Sequence, residues 1–125
     1  MKKLSQICKR LCVCETNVSD DYDVTGITTD SRTVEKGNVF VVTEGNEKYI
    51  KDAINRGAVC LLAEKAYKEP CVKIKSLREG LSLACSDFYD NPEKKVKIIG
   101  VVGTNGKTSV THILNEIFKP YKKTA

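Results

Sequence analysis

The sequence predicts an α/β protein: a small N-terminal domain whose largely parallel or mixed sheet is flanked by helices, followed by a strand, a glycine loop and a helix that open a second domain. Three observations carry this reading. Short apolar runs at 39–42, 58–63, 71–74 and 96–102 alternate with stretches whose apolar residues fall at helical spacing. The runs at 39–42 and 58–63 are continuously apolar, as in strands covered on both faces. Turn residues separate them, at Glu35-Lys36-Gly37-Asn38, at Gly45-Asn46 and at Gly57.

In chain order, Leu4, Ile7, Cys8 and Leu11 mark a short amphipathic helix, and residues 15–22 read as a polar loop. Val-Thr-Gly-Ile-Thr-Thr from Val24 onward alternates as a strand, which exits at Asp30-Ser31-Arg32. Those polar residues suit a ligand, or a turn in which Asp30 or Ser31 accepts a nearby backbone N–H. Residues 39–42 predict a central buried strand. Tyr49, Ile50, Ala53 and Ile54 line one helix face, which Gly57 closes before the strand at 58–63. A further strand follows at 71–74. Ser76 and Glu79 have capping-box spacing at the head of a helix carrying Leu77, Leu81, Ala84, Cys85 and Phe88. Asp90-Asn91-Pro92 ends that helix, since a proline disfavours helical angles in the residue before it. The expected division is a domain over 1–90, a linker over 91–95 and the incomplete start of a second domain over 96–125. One strand and one helix cannot cover their own apolar faces, and such a segment lies below the ~50-residue range of autonomous domains.

Composition bounds the function. The 125 residues are 41% hydrophobic and 30% charged, ordinary for a globular domain. A chain of this size buries roughly two-thirds of its unfolded surface, enough for one core. Net charge is +5, with local clusters at Lys94-Lys95-Lys97 and Lys119-Lys122-Lys123. This suits a small anionic ligand, whereas a nucleic-acid surface would show a basic helix stripe interleaved with aromatics. Lys9-Arg10 interrupts the N-terminal apolar run before a signal core forms, and no stretch reaches the ~18 apolar residues of a membrane span, so a cytoplasmic location is expected. The six cysteines are then expected to be reduced thiols. Cys8, Cys12 and Cys14 lack the paired knuckles of a zinc site, and Cys60, Cys71 and Cys85 read as small core hydrophobes.

The chemistry concentrates after the apolar run at 96–102, where Gly103, Thr104, Asn105, Gly106, Lys107, Thr108 and Ser109 lead into a helix. Gly103 and Gly106 allow tight backbone angles, helix N–H groups attract anions, Lys107 offsets phosphate charge, and Thr108 or Ser109 can reach Mg2+ through a nucleotide. The strict G-x-x-x-x-G-K-[ST] spacing fails by one position, because Gly100 stands one residue too early.

GVVGTNGKTSVT resembles the ATP loop of the Mur ligase family, G-T-x-G-K-[ST], in which this departure from the ordinary spacing is usual. Upstream, TTDSRTVEKGNVFVV resembles the family's D-S-R…G-x-x-F-V segment, NRGAVCLLAE its G-A-x-x-x-x-x-E segment, and SDFYDNPEKKVKIIGVVGTNGKT its F-Y-x-x-P lead into the loop. The lead and the Thr-Asn pair favour the branch that adds the third peptide residue, diaminopimelate or lysine, over the branch that adds the terminal dipeptide. The resemblance implies that Thr29 and Ser31, supported by Asp30 and Arg32, hold the uridine-diphosphate end of UDP-N-acetylmuramoyl-dipeptide. It implies that residues 103–109 bind ATP, with Lys107 stabilising the transferring phosphate and Thr108 serving Mg2+. Family chemistry turns the substrate carboxylate into an acyl phosphate, which the amine of the incoming amino acid attacks.

The chain departs from the family at Gly45-Asn46-Glu47-Lys48-Tyr49, which lacks the usual Asp-Gly-His-type segment. It also stops at Ala125, before the family's acidic Mg2+ ligands, carbamylated lysine and amino-acid-selecting domain. The expectation is a chain that binds the uridine nucleotide weakly, binds ATP poorly and has no ligase activity by itself, with residues 96–118 able to pair with another copy. A fragment of a terminal-dipeptide or cyanophycin-type ligase, and a short non-catalytic binding module, are the alternatives.

Overall fold

The computed structural model describes residues 1–124. They fall into two units, Met1–Pro92 and Glu93–Ala125.

The first unit is organised by a five-stranded sheet. Its elements are β1 (Lys2–Lys3), α1 (Leu4–Cys8), β2 (Val13–Thr16), β3 (Asp23–Val24), β4 (Gly26–Thr28), β5 (Asn38–Val41), α2 (Ile50–Asn55), β6 (Cys60–Ala63), β7 (Cys71–Ile74) and α3 (Leu77–Phe88). Strand order is β2-β7-β6-β5-β4, and β1 pairs separately with β3. β4, β5, β6 and β7 run parallel, while β2 joins β7 antiparallel at the edge. The sheet is therefore mixed, and the α/β expectation holds.

Alternation of side chains along each strand builds two cores. Val39 and Val41 of β5, Cys60 and Leu62 of β6, and Val72 and Ile74 of β7 face one side, where Leu4, Ile7, Leu11 and Ala84 cover them. Phe40, Leu61, Ala63 and Cys71 face the other, under Ile50 and Ala53 of α2. Both faces of the central strands are thus dry, which is why their sequences are continuously apolar. Ser76 caps α3 by accepting the Glu79 N–H at 3.4 Å, as the spacing predicts. Gly57 ends the turn after α2 with φ +108°, a left-handed conformation that favours glycine.

Three expectations need correction. The N-terminal helix stops at Cys8, because the Leu11 N–H reaches back to the Cys8 carbonyl in a tighter turn that still buries Leu11. Val13–Thr16, whose latter half falls in the expected polar loop, is an edge strand with all four residues exposed, so it carries no apolar alternation to recognise. Residues 96–102 form no strand: Val96, Ile98, Ile99 and Val102 are exposed, and among the described residues of the second unit there is no strand beside them. A strand exists only with a partner for its N–H and C=O groups. That unit contains a short 3-10 turn at Pro92–Lys94, which begins at the boundary residue, and one helix, α4 (Lys107–Phe118). Among the described residues, no helix is long and apolar enough to cross a membrane.

Candidate functional site

The parallel strands β4 to β7 all end on one edge of the sheet. In open α/β sheets the loops at the carboxyl ends of the strands are where ligands are held. Residues 29–33 follow β4, 42–49 follow β5, 64–67 follow β6, and 75–76 follow β7.

The segment after β4 is a tight, polar turn. Asp30 caps a 3-10 turn, Ser31–Thr33, by accepting the Arg32 N–H at 2.9 Å. The same carboxylate takes the Arg32 guanidinium, from Nε at 3.0 Å and from Nη2 at 2.7 Å. These side-chain and backbone bonds from Arg32 hold the Asp30 carboxyl down to about 2. Thr28 and Thr33 hydroxyls meet at 2.8 Å, and the Thr28 hydroxyl accepts the Asp30 N–H at 3.1 Å. Ser31 is buried, Thr29 is exposed, and the Arg32 side chain is 83% exposed. The four residues singled out in the sequence thus share one turn, and Asp30 is committed to shaping it.

The next loop ties this turn to the sheet, through residues that the sequence reading did not select. The Asn46 side chain donates to the carbonyls of Thr29 and Val41, each at 3.0 Å, and accepts the Thr43 N–H at 2.8 Å. Glu47 and Lys65, from the loops after β5 and β6, form an ion pair at 2.9 Å. The lysine, with help from Tyr67, lowers the Glu47 carboxyl, and Glu47 in turn raises Lys65. Glu64 accepts the Leu77 N–H at 2.6 Å. The signal that finds these residues is positional: each lies within a few residues of the carboxyl end of a parallel strand.

In the second unit, the glycine loop enters α4 through Gly106, whose φ of +75° is left-handed and whose missing Cβ leaves open space. No side chain caps α4. Lys107 folds back so that Nζ donates to the Gly103 carbonyl at 2.5 Å, closing a ring over Thr104 and Asn105. Thr108 and Ser109 stand in the first turn, where helix N–H groups have no intrahelical acceptor. The loop therefore gathers a lysine, two hydroxyls and unpaired helix N–H groups, the donor set for a polyphosphate.

Cys60 and Cys71 are buried, Cys8 and Cys85 are half-buried, and Cys12 and Cys14 are exposed. Burial pushes the Cys60 thiol up to about 12, and burial together with Asp21 pushes Cys8 up to about 11. Among the described residues, no group of three or more His, Cys, Asp or Glu side chains is placed to hold a metal ion.

No family model matches the chain. Curated proteins do. It is 38% identical over 122 residues to the UDP-N-acetylmuramoyl-L-alanyl-D-glutamate–2,6-diaminopimelate ligase of Clostridioides difficile, an alignment covering 92% of this chain and 25% of that protein. The ligase of the same name from Bacillus velezensis is 39% identical over 105 residues, or 79% of this chain and 21% of that protein. Over this stretch the chain is similar to the N-terminal region of Mur ligases. It spans about a quarter of the length of the curated Mur ligases it matches. Solved Mur ligases share its fold. MurF of Acinetobacter baumannii superposes with a TM-score of 0.71 at 17% identity, over 97% of this chain and 28% of that one. MurF of Thermotoga maritima, solved in complex with ADP, gives 0.57 at 23% identity over 82% of this chain and 25% of that one.

Proposed function

We propose that this chain is the nucleotide-sugar-binding part and the beginning of the ATP-binding part of a peptidoglycan-precursor ligase that adds the third amino acid to UDP-N-acetylmuramoyl-L-alanyl-D-glutamate in the cytoplasm. The observation that carries the reading is the entry to α4: a left-handed Gly106, an uncapped helix start and Lys107 folded over the Gly103 carbonyl. The names of the relatives at 38% and 39% identity support the choice of substrate.

In this reading Thr29, Asp30, Ser31 and Arg32 receive the uridine-diphosphate end of the substrate. Asp30 fixes the Arg32 backbone and guanidinium, so that the mostly exposed arginine is already oriented when a diphosphate arrives. Residues 103–109 fit ATP: Gly106 leaves room for a phosphate beside its Cα, and Lys107 and the first N–H groups of α4 supply positive charge. Thr108 is the residue that would meet Mg2+. When bound, ATP supplies the phosphoryl group that activates a carboxylate for attack by an amine. Lys107 would exchange its bond to the Gly103 carbonyl for phosphate oxygens, where its charge lowers the cost of transfer.

Titration calorimetry of the 125-residue chain with UDP-N-acetylmuramoyl-L-alanyl-D-glutamate and, separately, with Mg-ATP tests the assignment. Weak binding of the uridine nucleotide, reduced about tenfold in Arg32→Ala by loss of one charge-assisted contact, is expected. Tight ATP binding without a uridine-nucleotide signal reverses the roles of the two units.

A further inference from the structure

We propose that Asn46 is the positioning residue of the carboxyl-end site: its side-chain amide holds residues 29–32 in their binding geometry by taking the place of the next rung of the β4–β5 ladder. The parallel pairing of β4 with β5 ends at Thr28 and Phe40. The carbonyls that come next on the two strands belong to Thr29 and Val41, and both accept from Asn46 Nδ2 at 3.0 Å. The other end of the amide, Oδ1, accepts the Thr43 N–H at 2.8 Å. The amide orientation is fixed by these partners, because the reversed amide would set oxygen against two carbonyls and nitrogen against an N–H donor.

The position makes the contact specific to the site. β4 is an edge strand, so no further strand can hold the Thr29 end of the turn. One residue onward, Asp30 organises Arg32 by accepting its N–H and guanidinium, and its carbonyl accepts the Thr33 N–H at 3.1 Å. The turn therefore has an internal lock at Asp30 and an external anchor at Asn46. The loop Gly45-Asn46-Glu47-Lys48-Tyr49 is short, and the Asn46 side chain makes two bonds to the ends of two strands and a third within its own loop, from the Thr43 N–H. For its ligand, the inference rests on the uridine-nucleotide reading of residues 29–32.

The test compares the full chain with Asn46→Ala and Asn46→Asp by amide hydrogen exchange and by titration with uridine diphosphate. Asn46→Asp keeps an acceptor for Thr43 but sets carboxylate oxygen against two carbonyls, so it should loosen the turn at least as much as Asn46→Ala. Exchange at the Arg32 and Thr33 amides is expected to rise about tenfold in both variants while β6 amides keep their protection, and uridine-diphosphate affinity to fall about tenfold. Unchanged exchange at Arg32 and Thr33 overturns the inference. So does an equal loss of protection in β6, which would make Asn46 a residue of general stability. A local rise in exchange, with no uridine diphosphate bound by the unaltered chain, upholds the anchor and overturns the nucleotide reading instead.

Discussion

Residues 39–42 and 98–102 are similarly apolar, yet Phe40 is 0% and Val102 is 94% exposed. The first run lies inside a sheet covered on both faces, and the second has no strand beside it among the described residues of its own unit. Every buried hydrophobic residue among those described belongs to Met1–Pro92. Charge divides the same way. Met1–Pro92 holds 14 basic and 14 acidic residues, whereas Glu93–Ala125 holds 7 basic and 2 acidic, so the whole net charge of +5 lies in the second unit. An apolar run therefore records a need for neighbours, and whether that need is met depends on what else folds around it.

The largest expected effect separates the two regions by stability. Phe40→Ala empties the centre of the core between the sheet and α2, and should lower the unfolding free energy of Met1–Pro92 by about 3–5 kcal/mol. Ile113→Ala, on the exposed side of α4, should stay within about 0.5 kcal/mol of the unaltered chain. Urea unfolding followed by circular dichroism measures both. A cost at Ile113 comparable to that at Phe40 would mean that α4 is packed, and would remove the contrast.

A smaller effect comes from two left-handed glycines. A Cβ at Gly57, φ +108°, would lie 2.9 Å from the Lys36 Cα, so Gly57→Ala adds a backbone clash to conformational strain. About 2 kcal/mol or more of destabilisation is expected in the same urea experiment. At Gly106, φ +75°, a Cβ meets open space, so Gly106→Ala carries strain alone, about 1–2 kcal/mol confined to the start of α4. The unfolding midpoint of Met1–Pro92 should not move. A shift of that midpoint by Gly106→Ala would show that the two units unfold together.

The same contrast explains what was legible in the sequence. β5, β6 and α3 announce themselves because burial on both faces or at helical spacing leaves a pattern, and the Ser76 cap marks where α3 begins. β2 leaves none, since Val13, Cys14, Glu15 and Thr16 are all exposed and are held by backbone bonds to β7. In the site, Asp30 and Arg32 are visible as charged residues at a strand exit. Asn46 is not: by composition it reads as an ordinary turn residue, and only the register of β4 on β5 shows that its amide continues a ladder. Lys65 and Glu47 are equally silent, because their pairing spans two loops brought together by the sheet.

The smallest effect expected is also the most local. Asp30 is bound to the Arg32 guanidinium through two nitrogens and to its N–H, whereas the Lys119–Glu116 pair of the second unit stands 3.9 Å apart with both side chains exposed. The Asp30 carboxyl should titrate near about 2, against about 3.9 for an unperturbed aspartate. Because the folded value is the lower one, its stabilising contribution is complete above about pH 4 and fades as the pH falls through about 2. Carboxyl-carbon NMR shifts of Asp30 follow this directly, and Arg32→Ala should return the midpoint toward the ordinary value. A midpoint near 4 in the unaltered chain would mean that the turn is not locked in solution. The carboxyl end of the sheet would then be no better organised than the exposed helix of the second unit.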